Sequence, residues 1–184
     1  MPRAVEGKYD IEVVRREWIG KATDARRGRY PVEHDPIRRY CHMVEDRNPL
    51  FLDPEFAAGT EYGAVIAPLG MVGYFAGNGA WPPLEERNLL AEVPTRGVRL
   101  INMNTDWEYL KPVRVGDRLT TQTVLTDIFE KPIRLDPKAV WIVTENRITN
   151  QDGELVAVGR NTLLTHRTPE AVAADAAGME GARA

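Results

Sequence analysis

Cysteine is almost absent from this chain. Its 184 residues include one, Cys41, which excludes an internal disulfide framework and every metal site built on several thiolates. Histidine is scarce as well: His34, His42 and His166 are scattered, and three such residues with one thiol do not make a zinc site. No metal and no redox cofactor is expected. Charge of one sign is not in excess either, since 24 Lys and Arg against 27 Asp and Glu leave −3, so no broad field favours nucleic acid or an anionic membrane. The opening residues, MPRAVEGKYDIEVV, lack the apolar core of a signal peptide, and no apolar run approaches the ~20 residues that span a bilayer. The expected location is the cytoplasm. With no repeat and no Gly/Ser/Pro linker, residues 1–167 are expected to form a single domain. Residues 168–184, TPEAVAADAAGMEGARA, have no aromatic and no long apolar face, and are expected to be a disordered tail or a loose helix.

What the chain does have is patterned. Residues 1–40 carry ten Lys and Arg against seven Asp and Glu, centred on Arg15, Arg16, Lys21, Arg26, Arg27 and Arg29. This reads as a solvated surface, with a patch for a phosphate-bearing ligand as the sharper alternative. Asp35-Pro36 supplies an N-cap acceptor and a first helical residue, and Ile37, Tyr40, Cys41 and Val44 follow on one helical face, which predicts a buried Cys41 thiol. Asp53-Pro54 opens a second, shorter helix, closed at Gly59 or Gly63. A third follows Pro68 through Leu69, Gly70, Met71, Val72, Gly73, Tyr74 and Phe75 to the breaker Gly77-Asn78-Gly79. Its small and apolar residues lie on all sides, which predicts a buried helix with something wrapped around it.

The second half supplies the wrapping. From Leu100 to Tyr109 the chain alternates, with Ile101, Met103, Thr105, Trp107 and Tyr109 on one face and Asn102, Asn104, Asp106 and Glu108 on the other. Three more β-rich runs follow at 117–129, 139–149 and 154–166, the last two joined by Asn150-Gln151-Asp152-Gly153, a tight-hairpin signal. Helices first and antiparallel strands after make the class α+β, an antiparallel β-sheet wrapped around a central helix. Trp81, Trp107, Tyr109 and Trp141 are expected chiefly in the core, narrowing a tunnel being the alternative.

The most informative stretch is Glu45-Asp46-Arg47-Asn48-Pro49-Leu50-Phe51-Leu52-Asp53-Pro54-Glu55-Phe56-Ala57. As plain structure, it is a turn with caps at Asp46 and Asp53. It also resembles the signature of the MaoC-like, (R)-specific enoyl-CoA hydratase family, in which Asp-x-Asn-Pro-Leu-His-x-Asp-Pro-x-x-Ala recurs. Asp46, Asn48, Pro49, Leu50, Asp53, Pro54 and Ala57 match it. Tyr62-Gly63-Ala64-Val65-Ile66-Ala67-Pro68 resembles the family's lead-in to its central helix. Glu108-Tyr109-Leu110-Lys111-Pro112-Val113-Arg114-Val115-Gly116-Asp117 and Asn150–Ala157 resemble sheet segments of its FAS1-like dehydratase branch. The resemblance spans roughly residues 9–166 and implies a hotdog fold.

What the resemblance implies about chemistry is specific. The family's Asp and His form a dyad that activates water for addition to an enoyl thioester, its Asn orients that water, and the thioester carbonyl is held by an N–H at the start of the central helix. Carried onto this chain, the catalytic positions are Asp46 and Asn48, and the substrate-lining positions are Phe51, Pro68, Leu69, Gly70 and Tyr74. The dyad histidine is replaced by Phe51, which neither takes nor gives a proton. The expectation is therefore a subunit of an enoyl-thioester hydratase or 3-hydroxyacyl-thioester dehydratase that shapes the acyl site and has little activity alone. Its ligand would be an acyl-CoA or acyl-carrier-protein thioester, its assembly a homodimer or a heteromer with a His-bearing MaoC-like hotdog subunit. Two alternatives stay open: a self-sufficient thioesterase or dehydratase using Asp46, and a non-enzymatic acyl-binding module.

Overall fold

The computed structural model of the protein describes residues 3–4, 9–78 and 89–181. Strand β1 (Arg3–Ala4) precedes helix α1 (Ile11–Trp18), which Asp10 caps by accepting from the Glu12 N–H at 2.9 Å. Strand β2 (Arg26–Arg27) leads into α2 (His34–Val44). This helix starts earlier than Asp35-Pro36 predicts. Its cap is Glu33, which makes no side-chain cap bond, while Asp35 lies inside the first turn and pairs with Arg38 at 2.7 Å and Arg39 at 2.6 Å. Two arginines one turn on compete with the backbone for that carboxylate. The face predicted to be buried holds Ile37 and Cys41 in the core.

Two short helices follow, α3 (Pro49–Leu52) and α4 (Pro54–Ala58), each with proline at its start and an Asx cap before it. The chain then makes the central helical segment, a 3₁₀ turn at Leu69–Met71 leading to a widened π-turn at Tyr74–Asn78, with Gly77 at φ 128°. Met71, Val72, Phe75 and Ala76 are buried, but Leu69 is 57% and Tyr74 46% exposed. Burial on all sides is thus corrected to burial on one: a single chain presents a sheet to one flank of this helix and leaves the other uncovered. Helix α5 (Leu89–Glu92) and β3 (Pro94–Thr95), which pairs in parallel with β1, complete the first half.

The predicted strands are β4 (Arg99–Tyr109), β5 (Thr120–Glu130), β6 (Val140–Thr149) and β7 (Leu155–His166). They form an antiparallel five-stranded sheet in the order β2-β5-β6-β7-β4. In the β6–β7 turn the Asn150 carboxamide accepts from the N–H groups of Asp152 and Glu154, and Gly153 takes φ 77°, as the hairpin signal requires. One apolar cluster joins the central helix to Leu119, Ile148 and Ala157 at one end of the sheet. A second joins α1 and α5 to Leu125, Ile128, Val140, Ile142 and Leu163 at the other. The architecture is the α+β one expected, a sheet curled around a helix.

The predicted alternation of β4 fails at one point. Asn102 pairs with Leu163 and Asn104 with Thr162, so Met103 is an inserted residue, a bulge. Ile101 therefore sits beside Leu164 on the outer face, whereas Thr105 and Trp107 sit beside Asn161 and Gly159 on the inner one. One extra residue flips everything beyond it. Trp107 is 39% exposed and Trp141 only half-buried, so neither is core as expected; Trp81 lies outside the described residues.

After β7 the chain is helical as α6 (Pro169–Gly181), in the segment for which a disordered tail or loose helix was expected. An ion cluster ties it down. Asp136, wholly buried, accepts from the Arg167 backbone N–H at 2.8 Å and its guanidinium at 2.7 Å, and Arg167 reaches on to Asp175 of α6 at 2.9 Å. Lys138 adds a contact to Asp175 at 3.0 Å.

Candidate functional site

The loop between α2 and α4 is built from side chains that bond their own backbone. Glu45 closes α2 in the left-handed region at φ 57°, and the Asp46 N–H donates to the Cys41 carbonyl at 2.9 Å, which turns the chain back. The Asp46 carboxylate accepts from the Asn48 N–H at 2.9 Å, and the Asn48 carboxamide accepts from the Leu50 N–H at 3.0 Å. Asp53 then accepts from Glu55 at 2.9 Å and Phe56 at 3.1 Å. Each acceptor satisfies a donor that a short helix leaves orphaned. Asp46 and Asn48 are half-buried, and each retains a side-chain polar atom beyond its capping bond.

Phe51 is half-buried and packs on the cluster formed by the central helix and the adjoining end of the sheet. Its carbonyl meets a histidine from the start of α2: His34 Nε2 lies 3.1 Å from the Phe51 oxygen. A carbonyl only accepts, so that nitrogen carries the proton. The two residues are 17 apart, and no local pattern joins them. Beneath the loop, the Cys41 thiol is pushed up by burial and then by the Asp46 carboxylate, the environment of an inert packed thiol.

The central helix begins at Pro68, and the Met71 N–H returns to the Pro68 carbonyl at 2.8 Å. The Leu69 and Gly70 N–H groups open the turn, where a helix has no acceptor of its own to offer. Gly70 faces Tyr40: a Cβ placed there would stand 3.2 Å from the Tyr40 hydroxyl. Beside this helix runs an open groove of about 480 Å³, lined by Asp35, Pro36, Arg39, Tyr40, Met43, Met71 and Tyr74. Tyr74 also borders a smaller recess with Arg29, Tyr30, Pro31, Glu33, Phe75 and Gly77. Of the predicted substrate-lining residues, Tyr74 lines the groove and Pro68, Leu69 and Gly70 do not. Asp46, Asn48 and Phe51 lie in the neighbouring loop and do not line it. The Ile66 N–H, donating to the Leu50 carbonyl at 3.3 Å, ties that loop to the lead-in of the central helix.

One long edge is left open. β4 pairs with β7 on one side and with no other strand among the described residues, and it is exposed along its length as far as Glu108. Among the described residues no helix is long and apolar enough to cross a membrane, and no group of three or more His, Cys, Asp or Glu side chains is placed to hold a metal ion.

Comparison with known proteins places this geometry. Residues 17–158 match the family model described as the FAS1-like, dehydratase domain region. A UPF0336 protein of Saccharopolyspora erythraea is 26% identical over 77% of this chain and 85% of its own length. A protein of Thermomonospora curvata named "Probable enoyl-CoA hydratase alpha subunit" is 27% identical over 86% of this chain. That alignment covers 52% of the relative, so the chain spans about half its length. Among solved structures, the ChsH1-ChsH2 complex from Mycobacterium tuberculosis superposes with a TM-score of 0.65 at 18% identity, over 86% of this chain and 94% of that one.

Proposed function

The chain belongs to the FAS1-like dehydratase domain family of MaoC-like hotdog proteins, and from that membership we propose that it is the acyl-site-shaping subunit of a heteromeric enoyl-thioester hydratase or 3-hydroxyacyl-thioester dehydratase. The observation that carries this reading is the loop itself. Asp46 and Asn48 are kept in an ordered turn, and Phe51 stands where the resemblance puts the proton-transferring histidine. Water addition requires a proton to leave the attacking water and another to reach the α-carbon, so a positioned acid/base is indispensable. A phenyl ring offers apolar surface instead, which suits the wall of an acyl channel.

The exposed β4 edge supports a partner, because an 11-residue strand paired on one side only, among the described residues, is a template for a second strand. The relative named as an alpha subunit and the structural neighbour solved as a two-component complex point the same way. In this reading a His-bearing hotdog subunit supplies the full dyad. This chain contributes the flank of the central helix with Tyr74, and the Leu69 and Gly70 N–H groups meet a thioester carbonyl borne by CoA or an acyl carrier protein. The test is native mass spectrometry of the protein drawn from its own host, followed by hydratase assays on what it is bound to. A second hotdog chain with the Asp…His pair, and activity confined to the complex, is the expected result. A homomer hydrating enoyl thioesters at full rate would overturn it.

A second reading has one observation behind it. The His34 imidazole, donating to the Phe51 carbonyl, brings a histidine ring to the loop that carries Asp46. Activity in the homomer that falls with both His34→Ala and Asp46→Ala would favour a self-sufficient enzyme.

A further inference from the structure

The inner face of the sheet is not uniformly apolar. Strand register puts four residues in each cross-strand row. The row Tyr109–Ala157–Ile148–Thr121 contributes to the cluster that holds Phe51 and the central helix. Further along the strands, Asn102–Leu163–Ile142–Ile128 contributes to the second cluster. Between them lie Trp107–Gly159–Asn146–Thr123 and Thr105–Asn161–Thr144–Leu125. A sheet face turned toward a core is ordinarily apolar. Here a polar belt separates two apolar clusters.

The belt is arranged, not scattered. The Asn161 carboxamide oxygen accepts from the Thr105 hydroxyl at 3.1 Å, and the Asn146 oxygen accepts from the Thr121 hydroxyl. Each bond orients an amide and leaves its nitrogen, with two N–H donors, without a hydrogen bond among the described residues. Both asparagines are half-buried, and the diagonal pairing through Gly159 and Thr144 makes them neighbours. Gly159 is the floor. A Cβ there would stand 2.8 Å from the Trp107 ring, so the indole lies on the bare backbone, and Tyr109 stacks on it at a centroid distance of 6.0 Å. An aromatic wall thus stands beside two oriented amide donors.

This inference rests on the acyl-thioester reading above and deepens it. We infer that the acyl group received by this chain carries an oxygen acceptor, a keto or hydroxyl group remote from the thioester, held by Asn146 and Asn161 beside the Trp107 indole. A plain alkyl chain would bury both amides without a partner, at a cost that an oxygenated chain avoids. The rows also set the distance. Strands rise about 3.3–3.4 Å per residue, so the belt lies roughly one to two rows, or about 7–14 Å, beyond the row that contributes to the Phe51 cluster.

The test compares binding of two probes by calorimetry: a medium-chain enoyl-CoA, and the same chain with a keto group near its far end. The protein is used in the assembly in which it is isolated. The wild type is expected to bind the keto probe about tenfold more tightly, the yield of one or two satisfied amide donors. Asn146→Leu with Asn161→Leu removes that preference. Asn161→Asp alone is the control for folding, since it keeps size and the Thr105 bond and removes the donors of that residue without placing two carboxylates side by side, and it too weakens the keto preference. A wild type that does not distinguish the probes, or variants that keep the preference, would overturn the inference and leave acyl-thioester binding intact. Equal weakening toward both probes would put the belt against the pantetheine arm common to them, and would also overturn it. Failure to bind either thioester would overturn the proposed function, and this inference with it.

Discussion

Asp46 and Asp136 are two carboxylates with opposite surroundings. Asp136 is wholly buried and surrounded by donors: the Arg167 guanidinium and N–H and the Lys138 N–H. Burial alone would raise its pKa, but those bonds together outweigh it and hold the carboxyl at about 2. Asp46 is half-buried, bonds one backbone N–H, and keeps acceptor capacity in hand. The acid held at a strongly lowered pKa is a structural one. A carboxylate whose lone pairs are all engaged has nothing left for water or substrate, so perturbation by itself does not mark the chemistry.

The comparison breaks first at Asp136. Asp136→Ala leaves Arg167 buried without its main partner and frees the anchor of α6, and it is expected to cost about 3–5 kcal/mol in urea unfolding at neutral pH. A loss below about 1 kcal/mol would mean the cluster is solvated in solution.

Acid sharpens the same point. The folded pKa of Asp136 lies below the unfolded value of about 3.9, so its stabilisation is fully present above that value and is lost as pH falls toward about 2. The stability gap between wild type and Asp136→Asn should hold steady from pH about 7 to about 5 and close below about 4. A gap that changes near neutral pH would assign the effect to another group.

How much of this contrast the sequence carried depends on range. Asp53-Pro54, Asn150–Gly153 and the period-two runs act through neighbours a few residues away, and all three were legible. The Asp136–Arg167 cluster joins residues 31 apart and the His34–Phe51 contact joins residues 17 apart, so neither leaves a local pattern. Met103 shows a different limit. Alternation marks a strand without marking a bulge, because the inserted Met103, apolar between Asn102 and Asn104, continues the alternating pattern unbroken; only pairing against Leu163 and Thr162 exposes it. The Asp46–Asn48 loop was legible as a motif, and its capping bonds follow from residue type, but its separation from the groove beside Tyr74 is a tertiary fact.

On the Asp46 side, the larger effect expected is a gain. Phe51→His returns an imidazole to a loop that keeps Asp46 and Asn48. General acid–base catalysis is worth roughly 10²–10⁴-fold. Hydration of a short enoyl-CoA by the variant alone should therefore rise at least about tenfold over wild type, followed by loss of the conjugated thioester absorbance. The rise should vanish when Asp46→Ala is added. No gain would mean that the Phe51 position and Asp46 no longer face a common point.

The smallest effect separates Asp46 as a cap from Asp46 as the proposed acid/base. As a capping acceptor it bonds the Asn48 N–H, so Asp46→Ala is expected to cost about 1 kcal/mol, whereas Asp46→Asn keeps an oxygen there and costs a few tenths at most. As an acid/base in the Phe51→His background, the carboxylate is irreplaceable, so Asp46→Asn should abolish the gained activity while leaving stability unchanged. Unfolding curves and rates measured on the same three proteins tell the roles apart. If Asp46→Asn were to retain the activity, the carboxylate would be a cap only, and the contrast with Asp136 would reduce to two structural aspartates differing in burial.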